Sequence, residues 1–376
     1  MTIARIFHKF YILSMMINDE EIVKLLKNAE NEGVFNKAVA GFILPDGTQK
    51  LVTLNTPENT VFDIASLTKV CPTSTLALRY ILEGKLSVDS KVVDFIPELQ
   101  TNYREDIRIF HLLTHSLDYR VPMKTLRTLP PEGILYALYT YQFEKAPGDA
   151  FNYGNPASVL LGMILDRISG MSLQEQGRKY FFEPLGMNRS GWDPLTRDFH
   201  RIPKEEISPT EICAFRGREI QGEIHDESAW VLRQLFPVGS AGMFSCVPDL
   251  LKFVQMMLND GVSREGVRVA PAGILQLASS NAFMNPAYGS CPAGAAGDCT
   301  ALGWELNAPK FMGTKISPRA FGKTGFTGAS IVADPDQGAA VVLLSNFTYP
   351  HREANADRIH AFRAKLADTF FGFYQV

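Results

Sequence analysis

The chain has 376 residues, 46 % of them hydrophobic and 20 % charged, with 37 Lys+Arg against 40 Asp+Glu and a formal net charge of −3. A chain of this size buries enough surface to fold without disulfide or metal staples, its length suits about two domains, and its near-neutral charge leaves no basic footprint for nucleic acid. No run approaches the roughly eighteen consecutive apolar residues of a membrane-spanning helix, so no integral membrane segment is expected and the ligand is expected to be a small molecule.

In chain order, Arg5, His8 and Lys9 precede the apolar stretch 10–17, imitating a short signal peptide, but Asn18-Asp19-Glu20-Glu21 follows with no small-x-small cleavage site. Residues 20–33 place apolar side chains at helical spacing and stop at Gly33, which predicts an amphipathic helix. Runs 38–44 and 50–54 are short β-type segments joined through Pro45-Asp46-Gly47, where the Asp-Gly pair suits a tight turn. From about 64 to 200 the pattern is helical, with segments at 66–86, at 107–115 and at 155–170, the last ending on Gly170. Strands return at 302–306, 319–333 and 339–345, the last two separated by Asp334-Pro335-Asp336-Gln337-Gly338, a turn in which Pro presets φ and Gly supplies a positive φ. A helix over about 353–371 closes the pattern.

This order predicts an α/β (α+β) fold. Residues 20–63 and 300–376 would form an antiparallel sheet lobe with the terminal helices packed on it, and residues 64–299 an inserted, mainly helical lobe with cleft-bordering loops. Five scattered cysteines, Cys71, Cys213, Cys246, Cys291 and Cys299, are an odd number and read as reduced thiols. Cys291 and Cys299 bracket the sequence PAGAAGD and read as ordinary loop thiols, with pairing under oxidation as the alternative. The localisation expected from these features is cytoplasmic, with export as the alternative.

Three short motifs carry chemistry. Ser66 and Lys69 stand at Ser-x-x-Lys spacing at the start of an apolar helix, so both lie on one helical face. A serine hydroxyl becomes a useful nucleophile when a neighbour takes its proton, and an amine one turn away, its pKa lowered by burial, is one means of doing so. Tyr153-Gly154-Asn155 lies in a Gly/Pro-marked break before the long helix, and Lys323-Thr324-Gly325 lies in a predicted strand, where the glycine permits close approach. Each motif alone has a plain reading: a solvated helix start, a capped loop aromatic, a strand-face charge. In this order they are specific.

Together they resemble the serine β-lactamase and penicillin-binding-protein superfamily, whose signatures are Ser-x-x-Lys, Tyr-x-Asn or Ser-x-Asn, and Lys-Thr-Gly. The tyrosine version resembles class C β-lactamases and the related carboxylesterases and D-amino-acid peptidases. Stretches 83–99, 111–115, 184–187, 222–230 and 322–328 are also similar to segments of that family, so the likeness covers about residues 20 to 371. It implies a β-lactamase/transpeptidase-like fold with Ser66 as the acylated nucleophile and Lys69 and Tyr153 sharing the proton work. It further implies that Asn155 holds Lys69 and the acyl-side carbonyl, that Lys323 and Thr324 face a substrate carboxylate or its equivalent, and that the backbone N–H groups of Ser66 and Phe326, just past Gly325, receive the oxyanion.

Departures from the pattern include Gly154, where Ser or Ala is commoner, and Pro72 in the second turn of the catalytic helix, which makes that turn irregular or delays the regular helix. Ser116-Leu117-Asp118 also replaces the usual continuation after His115, altering a loop at the cleft. Other chemistries fare worse. His111 and His115 lack a third ligand and read as two hydrogen-bonded packing residues; Ser317 stands where a phosphate loop needs its first glycine; no Gly-x-Ser-x-Gly elbow occurs. His225-Asp226 reads as a pair structuring the cleft edge, with a second proton relay as the alternative. No metal and no cofactor is implied, and oligomeric state is not read from the sequence. The implied function is a serine hydrolase of small esters or amides acting through acyl-Ser66. β-Lactamase, D-alanyl-D-alanine carboxypeptidase or D-amino peptidase action is the alternative, and a non-catalytic ligand-binding homologue a further one.

Overall fold

The computed structural model of the chain describes residues 19–196, 201–284, 299–352 and 356–374. Helix α1 (Asp19–Asn31) opens with three acidic residues, which suit the positive end of its dipole, buries Ile22, Leu25, Leu26 and Ala29, and is followed by Gly33 at φ 69°. Strands β1 (Ala38–Ile43) and β2 (Gln49–Leu54) pair antiparallel around a turn in which Gly47 takes φ 80° and Asp46 accepts the Thr48 N–H at 2.8 Å. Two small antiparallel pairs follow, β3 (Phe62–Asp63) with a later strand and β4 (Glu211–Cys213) with β5 (Arg218–Ile220); the partner of β3 is β6 (Phe244–Ser245). Strands of two or three residues are too short to display a period of two, which is why the sequence reading passed over them.

The last third supplies β7 (Cys299–Thr300), β8 (Glu305–Leu306), β9 (Phe321–Thr324), β10 (Ser330–Asp334) and β11 (Ala339–Ser345). One seven-stranded antiparallel sheet has the order β2-β1-β11-β10-β9-β8-β7, so β1 near one end of the chain pairs with β11 near the other. The run 319–333, read as one strand, is two: β9 and β10 fold back through 325–329, where Gly328 at φ 112° turns the chain.

The helices that matter for the site are α2 (Thr75–Leu82), α3 (Ile109–Thr114), α4 (Pro156–Ser169), α5 (Glu227–Leu232), α6 (Val247–Leu258) and α7 (Asp357–Gly372). Alternation along the strands sorts the sheet into two faces. Ala40, Phe42, Val341 and Leu343 pack with α1 and α7 through Leu26, Phe362 and Phe370. Val39, Ile43, Val342 and Leu344 join the larger core with α2, α4 and α6. Gly41 lets α6 lie directly on β1, since a Cβ there would stand 2.3 Å from the Val247 Cγ1. Segment 66–86 is not one helix. A 3₁₀ turn over Ala65–Lys69 runs into an irregular segment with Cys71 at φ −115°, ψ 98°, and regular α2 starts only at Thr75, because Pro72 cannot donate to the helical ladder.

Cys71, Cys213 and Cys246 are buried free thiols. The region 10–17, Cys291 with its loop, and the expected start of the last helix at 353 lie outside the described residues. Among the described residues no helix is long and apolar enough to cross a membrane, and no cluster of three or more His, Cys, Asp or Glu side chains is arranged to hold a metal ion.

Candidate active site

The site begins with the backbone before Ser66. Asp63, at the end of β3, is buried, and its two carboxylate oxygens accept the N–H groups of Ala65 and His225, each at 2.7 Å. Burial pushes the Asp63 carboxyl up despite these donors. The Ala65 contact fixes a non-glycine residue at φ 47°, a sparsely populated conformation that presents Ser66 at the head of the 3₁₀ turn. The β9–β10 turn is set against this segment from the other side. Thr327 Oγ1 donates to the Asp63 carbonyl at 2.7 Å, and a Cβ on Gly325 would stand 2.4 Å from the Ile64 carbonyl oxygen. From α7, the buried Arg363 donates to the carbonyls of Gly325 at 2.8 Å and Ala329 at 2.9 Å, holding the turn from behind.

Lys69 is buried one turn after Ser66. Its ammonium donates to Ser66 Oγ at 3.0 Å, Asn155 Oδ1 at 2.9 Å and the Ser240 carbonyl at 2.9 Å, a full set of three acceptors. Asn155 sits where the chain enters α4, and its amide donates onward to Asp226 Oδ2 at 2.9 Å. Asp226 in turn caps α5, accepting from the Ala229 N–H and the Ser228 hydroxyl.

Tyr153 closes the cluster. Its ring lies 4.0 Å from Lys323 Nζ and 5.3 Å from Lys69 Nζ, centroid to nitrogen, and 43 % of the residue is exposed, so an incoming molecule can reach it. Burial pushes the Tyr153 phenol up, but the Lys323 and Lys69 charges and a hydrogen bond with Ser66 outweigh it, and its pKa lies below the ordinary tyrosine value. Lys69 is pulled below the ordinary lysine value, chiefly by burial, against the pull of Tyr153 and with the repulsion of Lys323. Burial would lower Lys323 too, but Glu305 and Tyr153 hold it above its ordinary value. His115, which follows α3 at φ 53°, packs edge-on to Tyr153 with centroids 5.0 Å apart. Burial, then Lys323 and Lys69, push the imidazole well below its usual range, so it stands neutral. This corrects one expectation. His111 accepts the Arg108 N–H, but His115 Nδ1 has no hydrogen-bond partner among the described residues.

Ser66 opens on a cleft of about 260 Å³ whose walls include Met123, Lys124, Asn155, His225, Asp226 and Arg352. Phe326, 46 % exposed, stacks on His225 at 5.8 Å, and His225 Nε2 meets Glu211 at 2.9 Å. The half-buried Arg352 donates to both Glu211 and Glu227, which are buried, closing an ion network at the wall.

A protein-family model described as Beta-lactamase matches residues 37–365, most of the chain and every residue of this cluster. The chain belongs to the beta-lactamase family of serine hydrolases. A relative from Escherichia coli (strain K12), named a putative D-alanyl-D-alanine carboxypeptidase, is 26 % identical over 358 residues, covering 86 % of this chain and 78 % of its own length. Among solved structures, EstCE1, described as a hydrolase with promiscuous acyltransferase activity, superposes with a TM-score of 0.71 at 20 % identity, over 95 % of this chain and 100 % of that one. A beta-lactamase/D-alanine carboxypeptidase from Pseudomonas syringae gives 0.66 at 19 % identity, over 94 % and 99 %. At these identities the structural likeness speaks to the fold.

In this beta-lactamase-family chain the structure gathers Ser66, Lys69, Tyr153, Asn155 and Lys323 into one connected cluster. Thr324 ends β9, and Gly325 and Phe326 begin the turn beyond it rather than lying inside a strand. Sequence reasoning did not find Asp63, Glu305 or Arg363. Each has a partner distant in sequence, Asp63 alone having a local one in Ala65 as well, and none stands in a motif; the nearest local signal was the acidic residue three before Ser66.

Proposed function

We propose that this beta-lactamase-family protein cleaves small esters or amides through an acyl-Ser66 intermediate, in the cleft between a sheet lobe (20–63 and 300–376) and a mainly helical lobe (64–299). Ser66 Oγ attacks the substrate carbonyl carbon while its proton passes to the Lys69–Tyr153 pair. The oxygen that gains negative charge is received by the backbone N–H groups of Ser66 and Phe326. When the bond to the leaving group breaks, Tyr153 returns the proton to the departing oxygen or nitrogen; water then attacks the acyl carbon by the same route in reverse. Asn155 keeps Lys69 aimed at Ser66 and binds the acyl-side carbonyl. Thr324 and Gly325 line the approach, with Gly325 keeping the turn close to the nucleophile.

The observation that carries this reading is the contact of Lys69 Nζ with Ser66 Oγ at 3.0 Å beside a tyrosine lying between two ammonium groups. Hydrolysis of a p-nitrophenyl butyrate ester is expected, and Ser66→Ala is expected to abolish it; full turnover by that variant would sink the proposal. The second reading is β-lactam or D-alanyl-D-alanine cleavage, which the name of the Escherichia coli relative supports. A chromogenic cephalosporin assayed beside the butyrate ester separates the two. The buried free thiols of Cys71, Cys213 and Cys246 support a cytoplasmic address.

A further inference from the structure

The resemblance assigns Lys323 to a substrate carboxylate, yet the ammonium is already engaged. Lys323 is 1 % exposed, and its Nζ donates to Glu305 Oε1 at 2.6 Å. Glu305 comes from β8, hydrogen-bonded beside β9 with Glu305 opposite Gly322, so the pair is built into neighbouring strands. The remaining face of the ammonium lies over the Tyr153 ring at 4.0 Å. A carboxylate approaching Thr324 would have to displace Glu305 or stand beside its negative charge, which repels it. A second cation of the cleft wall, the half-buried Arg352, is committed as well, since it binds Glu211 and Glu227. Lys124 also lines the cleft, but it is exposed to solvent on the rim, where a charge contact is worth little. Met123 and the exposed ring of Phe326 offer apolar surface instead.

We propose that Glu305 determines substrate class: by holding Lys323 it turns away molecules with a carboxylate beside the scissile bond and reserves the cleft for neutral esters and amides. This rests on the hydrolase reading above and selects within it. It also sets the chain apart from the chemistry in the name of its carboxypeptidase relative, whose substrate ends in a free carboxylate.

The test compares an uncharged aryl ester with the same ester bearing a meta-carboxylate on the leaving phenol. The native enzyme is expected to favour the uncharged ester in kcat/KM by at least about tenfold. Glu305→Gln is expected to narrow that ratio about tenfold, mainly through a lower KM for the charged ester, as removal of a like charge requires. A native preference for the charged ester, or an unchanged ratio in a folded Glu305→Gln protein, overturns the proposal. Should that variant not fold, inhibition of the native enzyme by phenylboronic and 3-carboxyphenylboronic acids decides: weaker binding of the carboxylated boronate supports the proposal, and equal or tighter binding overturns it. Turnover without discrimination removes the specificity claim alone. No turnover of either ester together with no acylation of Ser66 removes the hydrolase reading and this claim with it.

Discussion

At the scale of single residues, the site is an electrostatic arrangement around one phenol. Tyr153 lies between Lys69 and Lys323, and their charges pull its pKa below the ordinary value despite burial. A phenol acting as proton acceptor works in its anionic form, so activity is present above its pKa and lost as the pH falls through it. Replacing Lys323 with methionine removes the nearer positive charge and leaves the opposing Glu305 charge unneutralised, which raises the Tyr153 pKa. The acid limb of the kcat/KM profile is therefore expected to move upward by about one pH unit or more, the size of a close opposite-charge contact. Lys69 moves in the same direction on losing the repulsion of Lys323, so the limb reports the proton the two residues share. A limb that stays in place in a folded Lys323→Met protein would remove both residues from the proton path.

At the scale of elements, function depends on the β9–β10 turn meeting the segment before Ser66. Gly325 makes that meeting possible, because a methyl group there would overlap the Ile64 carbonyl. Gly325→Ala is expected to lower stability by about 1–3 kcal/mol, as overpacking does. It is also expected to reduce kcat, because the turn carrying the Phe326 N–H must retreat from Ser66. A thermal melt and an ester assay check both, and an unaltered melt with full activity would show that the turn is not set by this contact. The same scale explains what was legible beforehand. The Asp46-Gly47 hairpin, the Pro156 start and Gly170 stop of α4, and the three motifs each reside in contiguous residues with a local physical signal. Pro72 announced a break in the catalytic helix, although the form of the break depends on packing. The division of 319–333 into two strands was hidden because the turn 325–329 contains Phe326 and Thr327, which read as β-type residues continuous with the strands on either side. Glu305 and Arg363 had no local signal, since their partners stand far away in sequence, and Asp63 had only its place three residues before Ser66.

At the scale of the whole molecule, the sheet closes the chain on itself. β1 pairs with β11, and the turn after β9 is thereby brought to the 3₁₀ turn of Ser66, while α4 delivers Asn155 and the loop before it delivers Tyr153. No short segment holds the site. Ser66, Tyr153 and Lys323 meet only in the folded chain, so the reactivity of Ser66 belongs to the assembled structure rather than to the Ser-x-x-Lys motif. Labelling with a fluorophosphonate, followed by peptide mapping by mass spectrometry, reads that directly. The native protein is expected to take one label, on Ser66, and the urea-unfolded protein none. Label on a different residue, or no label on Ser66 in the native protein, would contradict an acyl-Ser66 mechanism.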